Sequence, residues 1–358
     1  MDFYVTIGDI KDTIHTYWND HHTSSKFPEI LHILYENKKY LDYEPVLPDI
    51  GALARLDDDS FLSEIRKLYF RFPYTILSDL DSFDVVPPTS HIAVFHQFWR
   101  SYSFIHLHDC FEINYVFKGE CELTFLDEKR ILKEGDFCII SPYTNHNVTL
   151  LTEDSQIFPV LLKEKTFSEI FFPEDNLLSD FFRRILSDKS EPNYLLFQTS
   201  GSLEIRDLMK RLFLENFRQD KYASQNLIHW LYLLFSSILR DYQTYSQFSS
   251  YKTGPDYAPI LRYIQNHYTT ITLTELSKIF HYSIPYLSKI IKDTTDKNFV
   301  TLVRDLKMRD AVRYLEKTKL SMEEISIRIG YNSEDHFYRV FSAFYGISPL
   351  QYRKKKQT

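Results

Sequence analysis

Residues 272–292 read TLTELSKIFHYSIPYLSKIIK. Thr272 offers a hydroxyl at a helix start and Glu275 stands three positions on, the reciprocal arrangement that satisfies the orphan amide donors of a first turn. The spacing predicts a helix ending at Phe280. His281 and Tyr282 then make a short turn, and Ser283 opens a second helix with Pro285 in its first turn, where a missing N–H is harmless. Leu276, Ile279, Leu287 and Ile291 are expected to face inward, which leaves Pro285, Ser288, Lys289 and Lys292 on the outer side. Two short helices joined by so tight a turn, the second exposing small polar and basic side chains, form the geometry that reads DNA from the major groove.

The pattern recurs at Ser321-Met322-Glu323-Glu324, again with a glutamate three residues after a hydroxyl. Ile325 and Ile329 fall on one face, Gly330-Tyr331-Asn332 makes the turn, and Ser333 opens the next helix. There Phe337, Val340 and Phe341 are expected to pack inward while Glu334, Asp335, His336, Tyr338 and Arg339 look outward. Between the two units Leu302, Leu306, Ala311 and Leu315 repeat at helical spacing, so Phe299 to Glu316 is expected to form one connecting helix. Such a spine could hold two reading helices roughly one DNA turn, ~34 Å, apart. Ordinary core hairpins are the alternative reading, and the paired capping boxes and shared spine argue against it.

From about Ile260 to Arg353 the chain resembles the AraC/XylS family of bacterial regulators. The resemblance rests on Leu273-x-x-Leu276, Tyr286-Leu287-Ser288, Arg309-x-x-x-Arg313-x-Leu315, Ile325-x-x-x-Ile329-Gly330-Tyr331, Phe337-x-x-x-Phe341, Tyr345-Gly346-Ile347-Ser348-Pro349 and Tyr352-Arg353. By position it implies base contacts from Pro285, Ser288 and Lys289 in the first reading helix, and from Glu334, Asp335, His336, Tyr338 and Arg339 in the second. Three positions depart from the family pattern: Ser277 and Ser326 replace the usual alanine of each scaffold helix, and Asp296 replaces the glycine after the first reading helix. Asp tolerates the left-handed conformation, so that turn is expected to survive.

Outward from this region, the 358 residues suffice for several cores and carry a net charge of −7 that is unevenly divided. Residues 253–358 hold 17 basic against 11 acidic side chains, +6, and residues 1–252 hold the remaining −13. That asymmetry fits a C-terminal segment that meets phosphate. Cys110, Cys121 and Cys138 are odd in number and lack C-x-x-C spacing, so they are expected to be small apolar fillers. No leader pattern or apolar run of membrane-spanning length is apparent, which suggests a cytoplasmic protein without a membrane partner. Residues 1–90 read as a mainly helical extension, with Phe61, Leu62, Ile65 and Leu68 at helical spacing and a stop at Val85-Val86-Pro87-Pro88. Residues 91–165 change to short β-branched and aromatic runs divided at Lys118-Gly119, Asp127-Glu128-Lys129 and Glu134-Gly135-Asp136, the texture of a small barrel. Residues 166–243 return to helical spacing (Ile205, Leu208, Leu212; Leu227, Trp230, Leu231, Leu234, Ile238) and are expected to pack on the barrel or on a second subunit. Residues 244–257 read as a linker, and residues 258–356 as the double helix-turn-helix domain. The fold class is therefore α+β multidomain.

Within the barrel region, His106-x-His108-x-x-x-Glu112, Gly119, and Gly135-Asp136 through Pro142 to His146 resemble the two motifs of a cupin barrel. The later motif has six residues in place of five between Gly135 and Pro142, and Thr144 where glycine is usual. The resemblance implies that His106, His108, Glu112 and His146 converge inside the barrel, as strand alternation permits. Three readings stay open: a ligand pocket without a metal, a bound divalent ion, or side chains that merely tie strand ends together. A ligand pocket without metal or cofactor is the expectation. The chain reads as a non-enzymatic regulator whose partners are double-stranded DNA, a small-molecule effector, a second copy of itself and RNA polymerase; the alternative is a metal-dependent cupin enzyme with an accessory DNA-binding domain.

Overall fold

The computed structural model describes residues 2–77, 91–101, 104–126, 128–171, 193–199, 201–218, 220–240 and 257–356. The Val85–Pro88 stop, Asp127 and nearly all of the 244–257 linker lie outside them. The described residues divide into two units, one up to Arg240 and one from Tyr257 onward.

The N-terminal unit opens with β1 (Asp2–Thr6), whose last residue also starts a helix: the Thr6 hydroxyl accepts the Asp9 amide at 2.9 Å and so caps α1 (Ile7–His21). After α2 (Phe27–Glu36), α3 (Ile50–Leu53) and α4 (Asp58–Ile65), β2 (Tyr69–Pro73) returns to pair antiparallel with β1. The extension is thus not only helical. Its two five-residue strands are too short for their alternation to stand out from the helical pieces around them.

Nor is the extension a separate domain. β3 (Ile92–Val94), β4 (Cys110–Lys118), β5 (Glu120–Phe125), β6 (Lys129–Lys133), β7 (Asp136–Ile140), β8 (His146–Leu150) and β9 (Gln156–Lys163) follow, then α5 (Glu164–Phe171), β10 (Tyr194–Gln198), α6 (Leu203–Glu215) and α7 (Ala223–Arg240). Phe61 of α4 is fully buried with its ring 5.6 Å from Phe117 of β4 and 6.4 Å from Phe213 of α6. Asp58 of α4 meets Lys210 of α6 at 2.6 Å, and Arg206 reaches both Asp58 and Glu134. Extension, strands and following helices share one apolar layer.

Two sheets form the barrel, one ordered β10-β7-β4-β9-β3 and one ordered β6-β5-β8, all pairs antiparallel. In β5, Cys121, Leu123 and Phe125 point inward and alternate with polar residues, because its other face meets water. β4 and β7 are buried on both faces, since helices cover the outer one; Phe158 of β9 stacks on Phe213 at 4.5 Å. The inner cluster includes Val116, Leu123, Leu132, Cys138, Val148 and Tyr194. β10 lies inside the 166–243 stretch expected to be helical: Tyr194-Leu195-Leu196-Phe197 is a continuous apolar run, and such a run shows no period to distinguish strand from helix. All three cysteines are buried and free, as apolar fillers should be.

The C-terminal unit is all helical: α8 (Ala258–His267), α9 (Leu273–Phe280), α10 (Ile284–Thr295), α11 (Phe299–Lys317), α12 (Met322–Arg328), α13 (Glu334–Tyr345) and α14 (Pro349–Lys356). Ala311, Leu315, Ile325, Ile329, Phe337 and Phe341 close its distal core. Leu276, Leu287 and Ile291 are buried as their spacing predicts, but Ile279 is 43% exposed and Ile290 takes the inward place. Among the described residues no helix is long and apolar enough to cross a membrane.

Candidate functional site

Both helix-turn-helix pairs are set by their caps. The Thr272 hydroxyl accepts the Glu275 amide at 3.2 Å while the Glu275 carboxylate accepts the Thr272 amide at 2.9 Å, and α9 ends at His281 in the left-handed region. Ser283 then caps α10 by accepting the Tyr286 amide. Ser321 and Glu324 repeat the reciprocal pair at 3.1 and 2.7 Å, and Ser333 caps α13 through the His336 amide at 3.2 Å. Both serines at the usual alanine positions find partners: Ser277 donates to the Tyr282 carbonyl at 2.6 Å and Ser326 to the Glu323 carbonyl at 2.8 Å. Asp296 takes φ 57° at the end of α10, so the glycine is dispensable there.

On α10, Pro285, Lys289 and Lys292 are exposed and Ser288 is half-buried. On α13, Glu334, Asp335, His336 and Arg339 are exposed. Tyr338 departs from the outward expectation: it is half-buried and packs on the distal core beside Phe337, its large ring covering the core edge. Among the described residues Lys289, Lys292 and Arg339 meet no carboxylate, so their charge faces outward unneutralised. The two surfaces belong to one unit and are joined by the 19-residue α11, about 28 Å long at 1.5 Å per residue.

In the barrel, His106, His108, Glu112 and His146 do come together, their ligand atoms all within 4.8 Å of one another. Glu112 lies on the inner face of β4 and His146 opens β8; His106 and His146 exchange backbone hydrogen bonds at 2.9 Å. Glu112 Oε2 is shared between His108 Nε2 and His146 Nε2, each at 3.0 Å. His106 Nδ1 lies 2.8 Å from the Phe104 carbonyl and His146 Nδ1 2.8 Å from the Thr144 carbonyl. A carbonyl only accepts, so both Nδ1 atoms carry hydrogen and both Nε2 atoms present a lone pair unless the ring is charged. His146 Nε2 and the carboxylate are then two acceptors face to face, and a proton or a cation must stand between them. Burial raises Glu112, but His146 and His108 outweigh it and hold the carboxyl well below its usual range. Burial likewise disfavours the His146 imidazolium, yet Glu112 outweighs it and the pKa is raised; His106, dominated by burial, is lowered.

The extra residue in the second motif also has its place. Tyr143, not Thr144, takes the left-handed conformation at φ 62°, and its amide donates to the His108 carbonyl at 2.7 Å. The turn that presents His146 is therefore built without a glycine. Asn114 escaped the sequence reading although it lies two residues beyond Glu112, hence on the same strand face. It is fully buried, donates to Glu112 Oε1 at 2.9 Å, and its Oδ1 has no partner among the described residues.

Two family models match the chain: a helix-turn-helix domain over residues 276–355 and an AraC-like ligand-binding domain over residues 91–158. The HTH-type transcriptional regulator YdiP of Escherichia coli is 37% identical over 97 residues, which make up 27% of this chain and 32% of that protein. The Msm operon regulatory protein of Streptococcus mutans is 22% identical over 271 residues, 72% of this chain and 89% of that one. The solved C-terminal domain of the two-component response regulator yesN from Fusobacterium nucleatum is 31% identical, with 27% of this chain and 95% of that domain covered and a TM-score of 0.26. The matched stretch spans about a third of the length of the first curated relatives, 32% and 36%.

Proposed function

We propose, from the premise that this chain belongs to the AraC/XylS family of helix-turn-helix transcription regulators, that it grips double-stranded DNA with α10 and α13 in successive major grooves and answers to a small molecule held in the barrel. The observation that carries this reading is the pair of capped helices with polar outer faces on one unit, joined by a spine comparable in length to a DNA turn of ~34 Å. Pro285, Ser288, Lys289 and Lys292 face one groove, and Glu334, Asp335, His336 and Arg339 the next, with Tyr338 at the edge of its helix. The effector acts only through different affinities for two states of the protein. Asn114 Oδ1, buried and without a partner among the described residues, offers it an acceptor. The relatives bear regulator names, which favours a sensor over an enzyme for this barrel.

The protein works in the cytoplasm as a homodimer. Tyr232 and Leu233 stay exposed on α7 and supply an apolar face for a second copy, and RNA polymerase is the further partner at a promoter. Selection of duplexes from a random pool by the full chain tests the DNA reading. Enrichment of two short blocks about 10–10.5 base pairs apart, centre to centre, is expected; recovery of random sequence alone overturns it.

A second reading of the barrel site is carried by the ring tautomers. Each of His106 and His146 donates Nδ1–H to a backbone carbonyl and turns Nε2 inward, the outer-shell support that ligating histidines use. With His108 Nε2 and Glu112 these atoms would hold a divalent first-row ion, which would tie the barrel mouth together and offer a Lewis-acidic point to an effector. Elemental analysis of protein purified without chelators decides: about one ion per chain, lost in His146→Ala, supports this reading, and a metal-free protein indifferent to added zinc excludes it.

A further inference from the structure

The two readers are joined by more than the spine. Gly330, in the turn between α12 and α13, has φ 76° and lies against the loop that leads from α8 into α9. A β-carbon at Gly330 would stand 2.9 Å from both the Cα and the carbonyl carbon of Thr269, and closer still to its carbonyl oxygen. Backbone thus meets backbone with no side chain between them. Lys307, midway along the spine, donates from Nζ to the Gly330 carbonyl at 2.6 Å and lies 4.9 Å from the Tyr331 ring. One turn further, Asp310 accepts the Tyr268 hydroxyl. Positions 307 and 310 share a helix face. A single face of the spine therefore grips the entry loop of the first reader through Asp310 and the turn of the second through Lys307, and the two gripped loops touch each other.

Lys307 is an unusual choice for a merely solvated position. It is half-buried, burial lowers its pKa, and its partner is a carbonyl and not a carboxylate. A lysine so placed puts a positive charge just beyond the C-terminal end of α12, which the helix dipole favours.

We infer that Lys307, Gly330 and Thr269 form a joint that fixes the distance and rotation between the two reading helices, so that the protein accepts half-sites at one spacing only. The inference rests on the proposed DNA reading. Lys307 and Gly330 are positioning residues, not base contacts. One extra base pair moves a half-site by about 3.4 Å and turns it by about 35°, a shift that a helix pair joined only by a flexible turn absorbs and a locked pair does not.

The test uses the full chain and a duplex recovered by selection with it, beside the same duplex with one base pair inserted or removed between the blocks. For the wild type the altered spacing is expected to weaken binding by at least about tenfold, the scale of a lost base-pair contact set. Lys307→Met keeps the aliphatic stem and loses the bond. It is expected to bring that penalty down to about threefold or less while affinity for a single-block duplex stays within about twofold of wild type. Gly330→Ala, if it folds, should act the same way through the wedge it places against Thr269. A wild type that tolerates either spacing overturns the joint, and so does a Lys307→Met chain that keeps the full spacing penalty. A wild type that selects no duplex overturns the regulator reading itself, and the joint with it.

Discussion

Gly330 and Gly346 form a matched pair. Their φ angles are 76° and 74°, so replacing either by alanine forces an L residue into the left-handed region at nearly the same conformational cost, about 1–2 kcal/mol. Alanine also restricts the unfolded chain, which returns about 0.4–1 kcal/mol in both cases. The surroundings differ. A β-carbon at Gly346 meets nothing within 4 Å, whereas one at Gly330 collides with the Thr269 backbone, which is no flexible side-chain tip. Overpacking of that kind typically adds about 1–3 kcal/mol. Gly330→Ala should therefore be less stable than Gly346→Ala by about 1–3 kcal/mol, both measured by amide exchange with mass-spectrometric readout on peptides from α12 and α13. That readout is chosen because all three tryptophans, Trp18, Trp99 and Trp230, lie in the N-terminal unit, so tryptophan fluorescence does not report on the C-terminal one. Equal destabilisation of the two variants, within about 0.5 kcal/mol, would show that the close approach is not a tight contact, and the joint would lose its main support.

Lys289→Ala and Arg339→Ala should each weaken specific binding by about 1–3 kcal/mol if the side chain reaches a base edge; where it touches phosphate instead, anisotropy titrations across salt concentrations will show a slope lower by about one. His96 is buried, bonded to Gln156 at 2.7 Å, and held down to about 4 by burial, so it folds neutral. Its stability contribution is complete above pH 6.5 and is lost as pH falls toward 4, about 3 kcal/mol by linkage; tryptophan-monitored urea melts should show that loss in the wild type and a flatter profile in His96→Gln. Glu112→Gln removes the carboxylate shared by His108 and His146, and in chelator-treated protein should lower the barrel's melting temperature most between pH 4.5 and 6.5. Above the ordinary value of Glu112 and below that of His146 both charged forms are fully populated, and the advantage should fade as pH rises through the raised His146 value or falls through the lowered Glu112 one. A variant with an unchanged pH profile would remove the ion pair from the account.

What the sequence made legible follows the range of the interactions involved. The caps at Thr272, Ser283, Ser321 and Ser333 are local, each satisfied within three residues, and every one of them stands where the spacing placed it. The spine likewise announces itself through Leu302, Leu306, Ala311 and Leu315. The His and Glu cluster was visible because its members sit near strand ends in recognisable order. By contrast, Thr269 against Gly330 is a backbone contact sixty-odd positions apart with no side-chain signature beyond the glycine itself, and Tyr143 takes the left-handed conformation one position before the place where the resemblance has its usual glycine. β10 and the β1–β2 pair were missed for opposite reasons, one being apolar on both faces and the other too brief to show a period. The place of the extension against the barrel depends on Phe61 reaching strands more than fifty residues away, and periodicity carries no information about that.

The uneven charge of the two reading helices gives the joint its physical purpose. Lys297 and Arg304 face Asp305, and Arg313 faces Asp310, so part of the C-terminal basic excess is consumed inside the unit. Among the described residues Lys289 and Lys292 on the first of these helices meet no carboxylate, while the second opens with Glu334 and Asp335 and sets the single exposed Arg339 against them. Those carboxylates favour their own helix, since they sit at its positive end, but they repel phosphate and can only accept from base amino groups such as cytosine N4. The second reader therefore discriminates more than it attracts, and alone it would rarely reach a groove. On the proposed DNA reading, a second helix held at the correct distance and phase by Lys307 and the Gly330 contact would enter its groove once the first has bound, because linkage would supplement its weak attraction with a high effective concentration. A flexible connection would dilute that advantage, and an acidic second reader is workable only where the connection is stiff.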